Sequence, residues 1–263
     1  METVKEILNF VESIAPRSMM MDWDNVGLLC GDPAQSVTKI LVALDPFEDV
    51  CAEAAEIGAQ LIVTHHPLIF RPARSVTTET AVGRAIRFLC RHDISAINAH
   101  TNLDCAPGGV NDTLAAKLGL SGVSVIRPEG TDAEGREWGL LRKGTVEEQP
   151  LEEFLSTVRS ALGCEGLRYV CGGRPVHTVA VGGGACASEI PDAYDAGCDT
   201  FVTSDIKYNQ FWDAHDLGLN LIDAGHFHTE NPVVDTLAAA LRQAFPAVAV
   251  EISKNHRDCM KFF

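Results

Sequence analysis

The chain has 263 residues, 46% of them hydrophobic and 22% charged, with a formal net charge of −15. That length allows one large or two modest domains with ample core. The acidic balance disfavours a broad nucleic-acid-binding face. Apolar runs are strand-sized, too short to span a membrane. The opening Met1-Glu2-Thr3-Val4-Lys5-Glu6 has no basic region before an apolar block, so no signal peptide is expected. The nine cysteines are an odd number with no C-x-x-C pair. This is neither a disulfide framework nor a zinc-finger pattern, and a reducing cytoplasm is the natural compartment.

Residues 3–14 carry Val4, Ile7, Leu8, Val11 and Ile14 at helical spacing, closed by Pro16. Residues 21–28 (Met-Asp-Trp-Asp-Asn-Val-Gly-Leu) read either as a turn into a strand or as a site-lining loop. A strand over 39–44 leads to a helix at 46–57, with Asp45 as its N-cap and Gly58 after its end. Residues 61–64 form the next strand, which delivers Thr64-His65-His66-Pro67. Imidazole is the commonest protein metal ligand near neutral pH. Adjacent side chains on extended backbone point to opposite faces, so the two histidines serve separate ions unless the bend at Pro67 turns both into one pocket.

A helix over 79–91 and a strand over 94–98 follow, ending at His100-Thr101-Asn102-Leu103-Asp104. Residues 110–118 are helical. Residues 127–150, rich in glycine and charge, read as hairpin or loop, and 151–162 as helix. Strands at 178–181, 200–203 and 219–222 alternate with a helix at 188–196. The last of them ends at Ala224-Gly225-His226-Phe227-His228-Thr229-Glu230. A helix over 233–243 and a strand over 247–252 close the chain. Strands alternating with helices predict an α/β fold with a mainly parallel sheet. Sites in such sheets collect at the carboxyl ends of strands, where Asp45, His65, His66, His100 and Asp104 fall. Gly182-Gly183-Gly184 is a candidate phosphate cradle at a helix N-terminus. His92, His177, His215 and His256 read as ordinary hydrogen-bonded residues, and His228 is ambiguous.

The chain repeats itself. Shifting residues 39–65 by 139 superposes Val42, Ala54, Gly58, Val63 and Thr64 on Val181, Ala193, Gly197, Val202 and Thr203. Residues 110–118 match 233–241 at seven of nine positions. A histidine and a carboxylate four apart precede each block: His100 and Asp104, then His226 and Glu230. His65 and His66 correspond to Ser204 and Asp205, so the two copies share a framework and differ in chemistry. His65, His66, Asp104, His226 and Glu230, backed by His100, Asp45 and Asp205, make a donor set for zinc, manganese, iron, cobalt or nickel. Five protein ligands suit two ions better than one catalytic ion, which must keep a position open.

Trp23-Asp24-Asn25-Val26-Gly27-Leu28, Thr64-His65-His66-Pro67, His100-Thr101-Asn102-Leu103-Asp104 and Gly225-His226-Phe227-x-Thr229-Glu230 occur in that order. Together they resemble the dinuclear-metal-centre hexameric family, also called Nif-three-like and often labelled GTP cyclohydrolase 1 type 2. The resemblance implies two interleaved α/β repeats with mixed, mainly parallel sheets. It implies a metal-site domain of residues 1–124 plus 222–263, and an inserted domain of 125–221. It further implies a homohexamer and two divalent ions per chain on His65, His66, Asp104, His226 and Glu230. The cyclohydrolase label implies a hydrolase that opens a guanine imidazole ring with a metal-activated water, Glu230 or His100 moving protons. Another class of function compatible with the resemblance is a non-catalytic metal-binding or regulatory ring. The segment 203–209 departs from the family pattern, with Ser204 in place of glycine and no histidine at 208–209.

Overall fold

Contacts divide the chain, seen in a computed structural model that describes residues 2–263, into two compact units. The first runs up to Ala106 and adds Val234–Arg257; the second is Pro107–Val233 with Asp258–Phe263. The family resemblance implies domain junctions at 124/125 and 221/222; the division by contacts falls at 106/107 and 233/234 and includes the His226–Glu230 segment in the second unit.

In the first unit α1 (Val4–Ile14) opens with a capping box, in which Thr3 and Glu6 satisfy each other's backbone N–H groups. The sheet has the order β1-β4-β3-β2-β13, built from β1 (Gly27–Cys30), β2 (Lys39–Ala43), β3 (Leu61–Thr64), β4 (Ser95–Asn98) and β13 (Ala249–Ile252). Strands β4, β3, β2 and β13 are parallel, and β1 pairs antiparallel with β4. Helices α2 (Glu48–Glu56) and α3 (Ala81–His92) contribute Val50, Cys51, Ala54, Ala85 and Leu89 to a core with Leu41, Ile62 and Ala96 of the sheet. Leu89 is fully buried; truncating such a residue to alanine costs about 2–5 kcal/mol. The strand Leu61–Thr64 is buried throughout, as expected of parallel strands covered on both faces.

Helix α2 begins at Glu48, not at 46, and its N-cap is Phe47. Asp45 does not cap it, because both its carboxylate oxygens are engaged by imidazoles. The short α4 (Thr101–Cys105) was not predicted. Helix α10 (Pro232–Ala244) starts in the second unit and continues in the first.

The second unit has α5 (Val110–Lys117), α6 (Leu151–Leu162), α7 (Ile190–Asp195), α8 (Tyr208–Leu217) and α9 (His226–Glu230). Its main sheet has the order β5-β8-β10-β11-β12-β9. The strands are β5 (Ser121–Ile126), β8 (Leu141–Gln149), β9 (Arg168–Val170), β10 (Val176–Val181), β11 (Thr200–Thr203) and β12 (Asn220–Asp223). Strands β6 (Gly130–Thr131) and β7 (Glu137–Trp138) make a separate hairpin within the stretch predicted as hairpin or loop. Alternation along the strands sorts two cores. Val179, Val181, Val202 and Ile222 pack with Leu114, Phe154 and Val158. Ala180, Phe201 and Leu221 pack with Ile190, Ala193 and Leu219.

The internal repeat is visible in the topology of each unit. Parallel β2, β3 and β4 correspond to parallel β10, β11 and β12, and an antiparallel strand lies beyond the last of each set: β1 beyond β4, β9 beyond β12. Thr64 faces Asn98 in one sheet and Thr203 faces Asp223 in the other. Each third strand is followed by a short helix and a histidine–carboxylate pair four residues apart: His100, just before α4 (Thr101–Cys105), with Asp104, and His226 with Glu230 at the two ends of α9. No helix among the described residues is long and apolar enough to cross a membrane.

Candidate metal centre

In the first unit β3 stops at Thr64, whose hydroxyl donates to the carbonyl of His66 at 2.7 Å and turns the chain. His66 N–H donates to Leu44 O at 2.9 Å, tying the turn to the end of β2. The two adjacent imidazoles therefore leave the alternation of the strand, and their ring centres lie 4.8 Å apart. His100, the residue before α4, brings its ring to 5.2 Å from His65 and 5.5 Å from His66. Ring nitrogens of the three lie within 4.8 Å of one another, and these residues could hold a metal ion.

Each ring is held from behind. His65 Nδ1 donates to Ala99 O at 2.9 Å, since a carbonyl can only accept. His66 Nδ1 meets Asp45 Oδ1 at 2.7 Å, and His100 Nδ1 meets Asp24 Oδ1 at 2.8 Å. Burial alone would raise the pKa of Asp24, but hydrogen bonds from His100 and Thr101 more than reverse it and hold this carboxyl well below the usual range. Asp45 behaves alike: burial opposes ionisation, and the imidazoles of His256 and His66 overcome it. Both are carboxylates at neutral pH, so the Nδ1 atoms facing them carry the proton. That tautomer places the lone pair of each ring on Nε2, the arrangement seen when a second acceptor orients a ligating histidine.

Asp104, in α4, has Oδ1 3.5 Å from His65 Nε2. Asp24 Oδ2 also accepts from Thr101 N–H and Oγ1, and Asn102 Oδ1 accepts from His100 N–H. Loop 21–28 thus lines the cluster. Asn25 extends the same scaffold, donating to Ile69 O at 2.6 Å and accepting from Asn98 Nδ2 at 3.1 Å.

Two supports escaped the sequence reading. In sequence Asp24 is one residue of a loop motif and His256 an ordinary hydrogen-bonding histidine. His256 Nε2 donates to Asp45 Oδ2 at 2.9 Å across 211 residues of sequence. Its turn is pinned by the buried Glu53, which accepts from Ser253 Oγ and from Lys254 and Asn255 N–H. No local spacing signals such a contact.

In the second unit Gly225, with φ of +82°, starts α9. One helical turn sets His226 and Glu230 on the same face, with His226 Nε2 3.0 Å from Glu230 Oε2. His226 Nδ1 faces Asp205 Oδ2 at 2.8 Å. Asp205 itself sits at φ of +54°, a costly conformation outside glycine that recurs at functional sites. With its Nδ1 proton directed at Asp205, a neutral His226 offers Glu230 only a lone pair. Lone pairs converging at that distance call for a cation, either a proton or a metal ion. The donor chemistry of both units therefore fits a divalent transition metal.

The glycine run is not a phosphate cradle. Gly182 N–H donates to Val202 O, Gly183 N–H to Asn111 Oδ1 at 2.7 Å and Gly184 N–H to Thr229 Oγ1 at 3.0 Å. All three donors of a nest are spent inside the protein. Its use is steric instead. A Cβ at Gly184 would lie 2.0 Å from Glu230 Oε1 and 3.1 Å from His226 Nε2. Buried Ser204 donates to Gly184 O at 2.7 Å and fixes this loop. His228 has Nδ1 on Leu162 O and Nε2 beside Asp258, a structural setting. Among the others, His92 stacks on Phe88 and His177 Nδ1 lies on Val146 O.

A mixed α/β protein with imidazole–carboxylate clusters after the third parallel strand of each unit defines a class of candidate metal-binding proteins. Residues 2–258 match the model of the DUF34/NIF3 (NGG1p interacting factor 3) family. The chain is 37% identical to the Clostridium perfringens "GTP cyclohydrolase 1 type 2 homolog", over 98% of this chain and 99% of that protein. Among solved structures, a Bacillus cereus protein related to NIF3 matches with a TM-score of 0.95 and 27% identity, covering 100% of this chain and 99% of that one. The Staphylococcus aureus hypothetical protein SA1388 matches with a TM-score of 0.92 and 31% identity, over 99% of both chains. The chain belongs to the DUF34/NIF3 family.

Proposed function

We propose that the protein is a dinuclear metal-dependent hydrolase acting on a nucleotide or related heterocyclic small molecule. His65, His66 and Asp104 of the first unit and His226 and Glu230 of the second would hold two divalent ions, drawn from zinc, manganese, iron, cobalt and nickel. The observation that carries this reading is the Nδ1 engagement of His65, His66, His100 and His226, which presents Nε2 from each. The name of the Clostridium perfringens relative supports the direction of the chemistry. Bound there, the ions would supply Lewis acidity and lower the pKa of a water.

The chain's own residues would then move protons. His100 is not one of the five proposed ligands, and Asp24 keeps its Nδ1 protonated, so its Nε2 is the proton acceptor. Glu230 serves both as ligand and as the second proton-transfer group. On a guanine nucleotide the reaction would add two waters across C8, break both C8–N bonds, protonate N7 and N9, and release C8 as formate. Assembly as a homohexamer is part of the same proposal and rests on the family resemblance.

The test is formate release from GTP by the metal-loaded full-length protein, with Glu230→Ala in parallel and products identified by mass spectrometry. We expect formate from the parent protein and a loss of at least about 100-fold in the variant. Retained metal with no product from GTP or a nucleotide panel would overturn the hydrolase and favour a binding protein.

A further inference from the structure

Two large aromatic side chains stand in water beside the first unit's imidazole cluster. Trp23 is 62% exposed and Phe70 46% exposed. They are not strays at loop tips. Their ring centres lie 5.8 Å apart, and each touches His100: Trp23 at 6.2 Å and Phe70 at 6.0 Å. All three contacts are edge-to-face, with interplanar angles of 71°, 75° and 82°. Each such contact sets the edge of one ring against one face of the other, and the exposure that remains leaves both rings apolar surface open to water, so they form an exposed aromatic corner.

The corner is rigidly mounted. Asp24, next to Trp23, is fixed by His100 and Thr101. Ile69, next to Phe70, accepts from Asn25 Nδ2 at 2.6 Å. Both rings are therefore anchored through their neighbours to the same loop and to the same histidine. An exposed aromatic pair held against a candidate proton-transfer residue marks a ligand site more than it marks a chance surface.

We propose that Trp23 and Phe70 form a stacking shelf for a purine-sized heteroaromatic ring, which sets that ring beside His100. The proposal rests on the hydrolase reading and names the part of the substrate that binds. Trp23 offers a bicyclic face matched to a bicyclic base, and Phe70 closes the corner at the ring's edge. Asp24 and Asp45 are already committed to imidazoles, so recognition here is through the π-face and the apolar edge. A ribose phosphate without a base would find no purchase on the shelf.

The test uses full-length protein carrying Trp138→Phe and Trp212→Phe, so that fluorescence excited at the red edge of tryptophan absorption reports on Trp23 alone. The probes are GMP and ribose 5-phosphate. Saturable quenching by GMP and none by ribose 5-phosphate is expected. Phe70→Ala should weaken the GMP response about tenfold, within the range for one base stacked on one aromatic. Metal content by atomic emission and particle mass by ultracentrifugation should both stay unchanged in that variant. Equal responses to the two probes, or no response from protein that retains its metal, would overturn the shelf and leave the hydrolase reading standing. Quenching by GMP in protein that binds no metal would keep the shelf and sink the hydrolase. Breakdown of the assembly in Trp23→Ala would show that the corner joins copies of the chain, and the shelf would be wrong.

Discussion

The two units are copies of one topology with unequal chemistry at equivalent points. After β3 the first unit has Thr64-His65-His66; after β11 the second has Thr203-Ser204-Asp205. After β2 the first unit has Asp45, and the same shift of 139 puts Gly184 after β10. Asp45 spends its carboxylate holding His66, while Gly184 gives up its side chain so that Glu230 can occupy the space. In one unit, then, a strand end supplies imidazoles and borrows acids to hold them. In the other, it supplies an acid, Asp205, to hold the single imidazole His226, and a void to seat a carboxylate. A duplicated framework needs no symmetric site; the backbone fixes where donors can stand, and each copy's residues decide which donors stand there.

The largest test of that contrast is to remove one imidazole from each unit. His66→Ala and His226→Ala should each weaken divalent-metal binding by more than about 100-fold, since even the residues behind a ligand are worth about 10–100-fold. Competition against a chromophoric chelator measures it, and a null effect in either unit would break the pairing. Next come the orienting carboxylates. Asp24 is fully shielded and Asp45 15% exposed, whereas Asp205 is 51% exposed. Asp45→Asn should therefore cost nearer about 100-fold in metal affinity and Asp205→Asn nearer about tenfold, whereas Asp24→Asn, behind the proton acceptor His100, should lower turnover and leave metal affinity nearly unchanged. The reverse order would contradict the account.

Gly184→Ala drives a methyl onto Glu230 and should lower stability by about 1–3 kcal/mol, read as a fall in Tm. Gly197→Ala, also at positive φ but in open space, should cost only about 1 kcal/mol and leave metal affinity alone. The smallest effect is alkaline. Burial first, then nearby acidic groups, push the Cys51 thiol in the first unit up to about 12. Burial, against the opposing pull of Lys143, pushes Cys198 in the second up to about 11. A raised thiol pKa contributes stability that is whole below the unfolded value of about 8.5 and is lost as pH rises through the folded value. Thermal stability should thus begin to fall above about pH 8.5, with Cys198 fully ionised before Cys51. At pH 8 alkylation should reach exposed Cys90, Cys171 and Cys259 and spare those two.

Much of this was readable in the residues. The strands over 39–43 and 61–64 follow from the apolar runs Ile40–Ala43 and Leu61–Val63, and the repeat from counting. Helix α8 was missed because Ala214 is its one buried residue, leaving no apolar stripe to detect. Strand β5 is exposed along most of its length and carries no alternation. At the centre, His100 and the four-residue His226–Glu230 step were visible, since a helical turn is a local rule. The roles of Asp24, Glu53 and His256 were not, because a hydrogen bond between residues 76 or 211 positions apart is a property of the folded chain. Gly184 misled for a related reason. A glycine run looks alike whether its N–H groups face a ligand or are already satisfied, and only the partners decide.

The measurement that bears most directly on the account is metal uptake by the full-length protein, with ions counted per chain, in the parent and in His66→Ala. The account predicts two divalent ions per chain in the parent, a rise in Tm on loading, and loss of both responses in the variant. A parent protein that takes up no ion from zinc, manganese, iron, cobalt or nickel, and whose Tm is untouched by chelator, would contradict it.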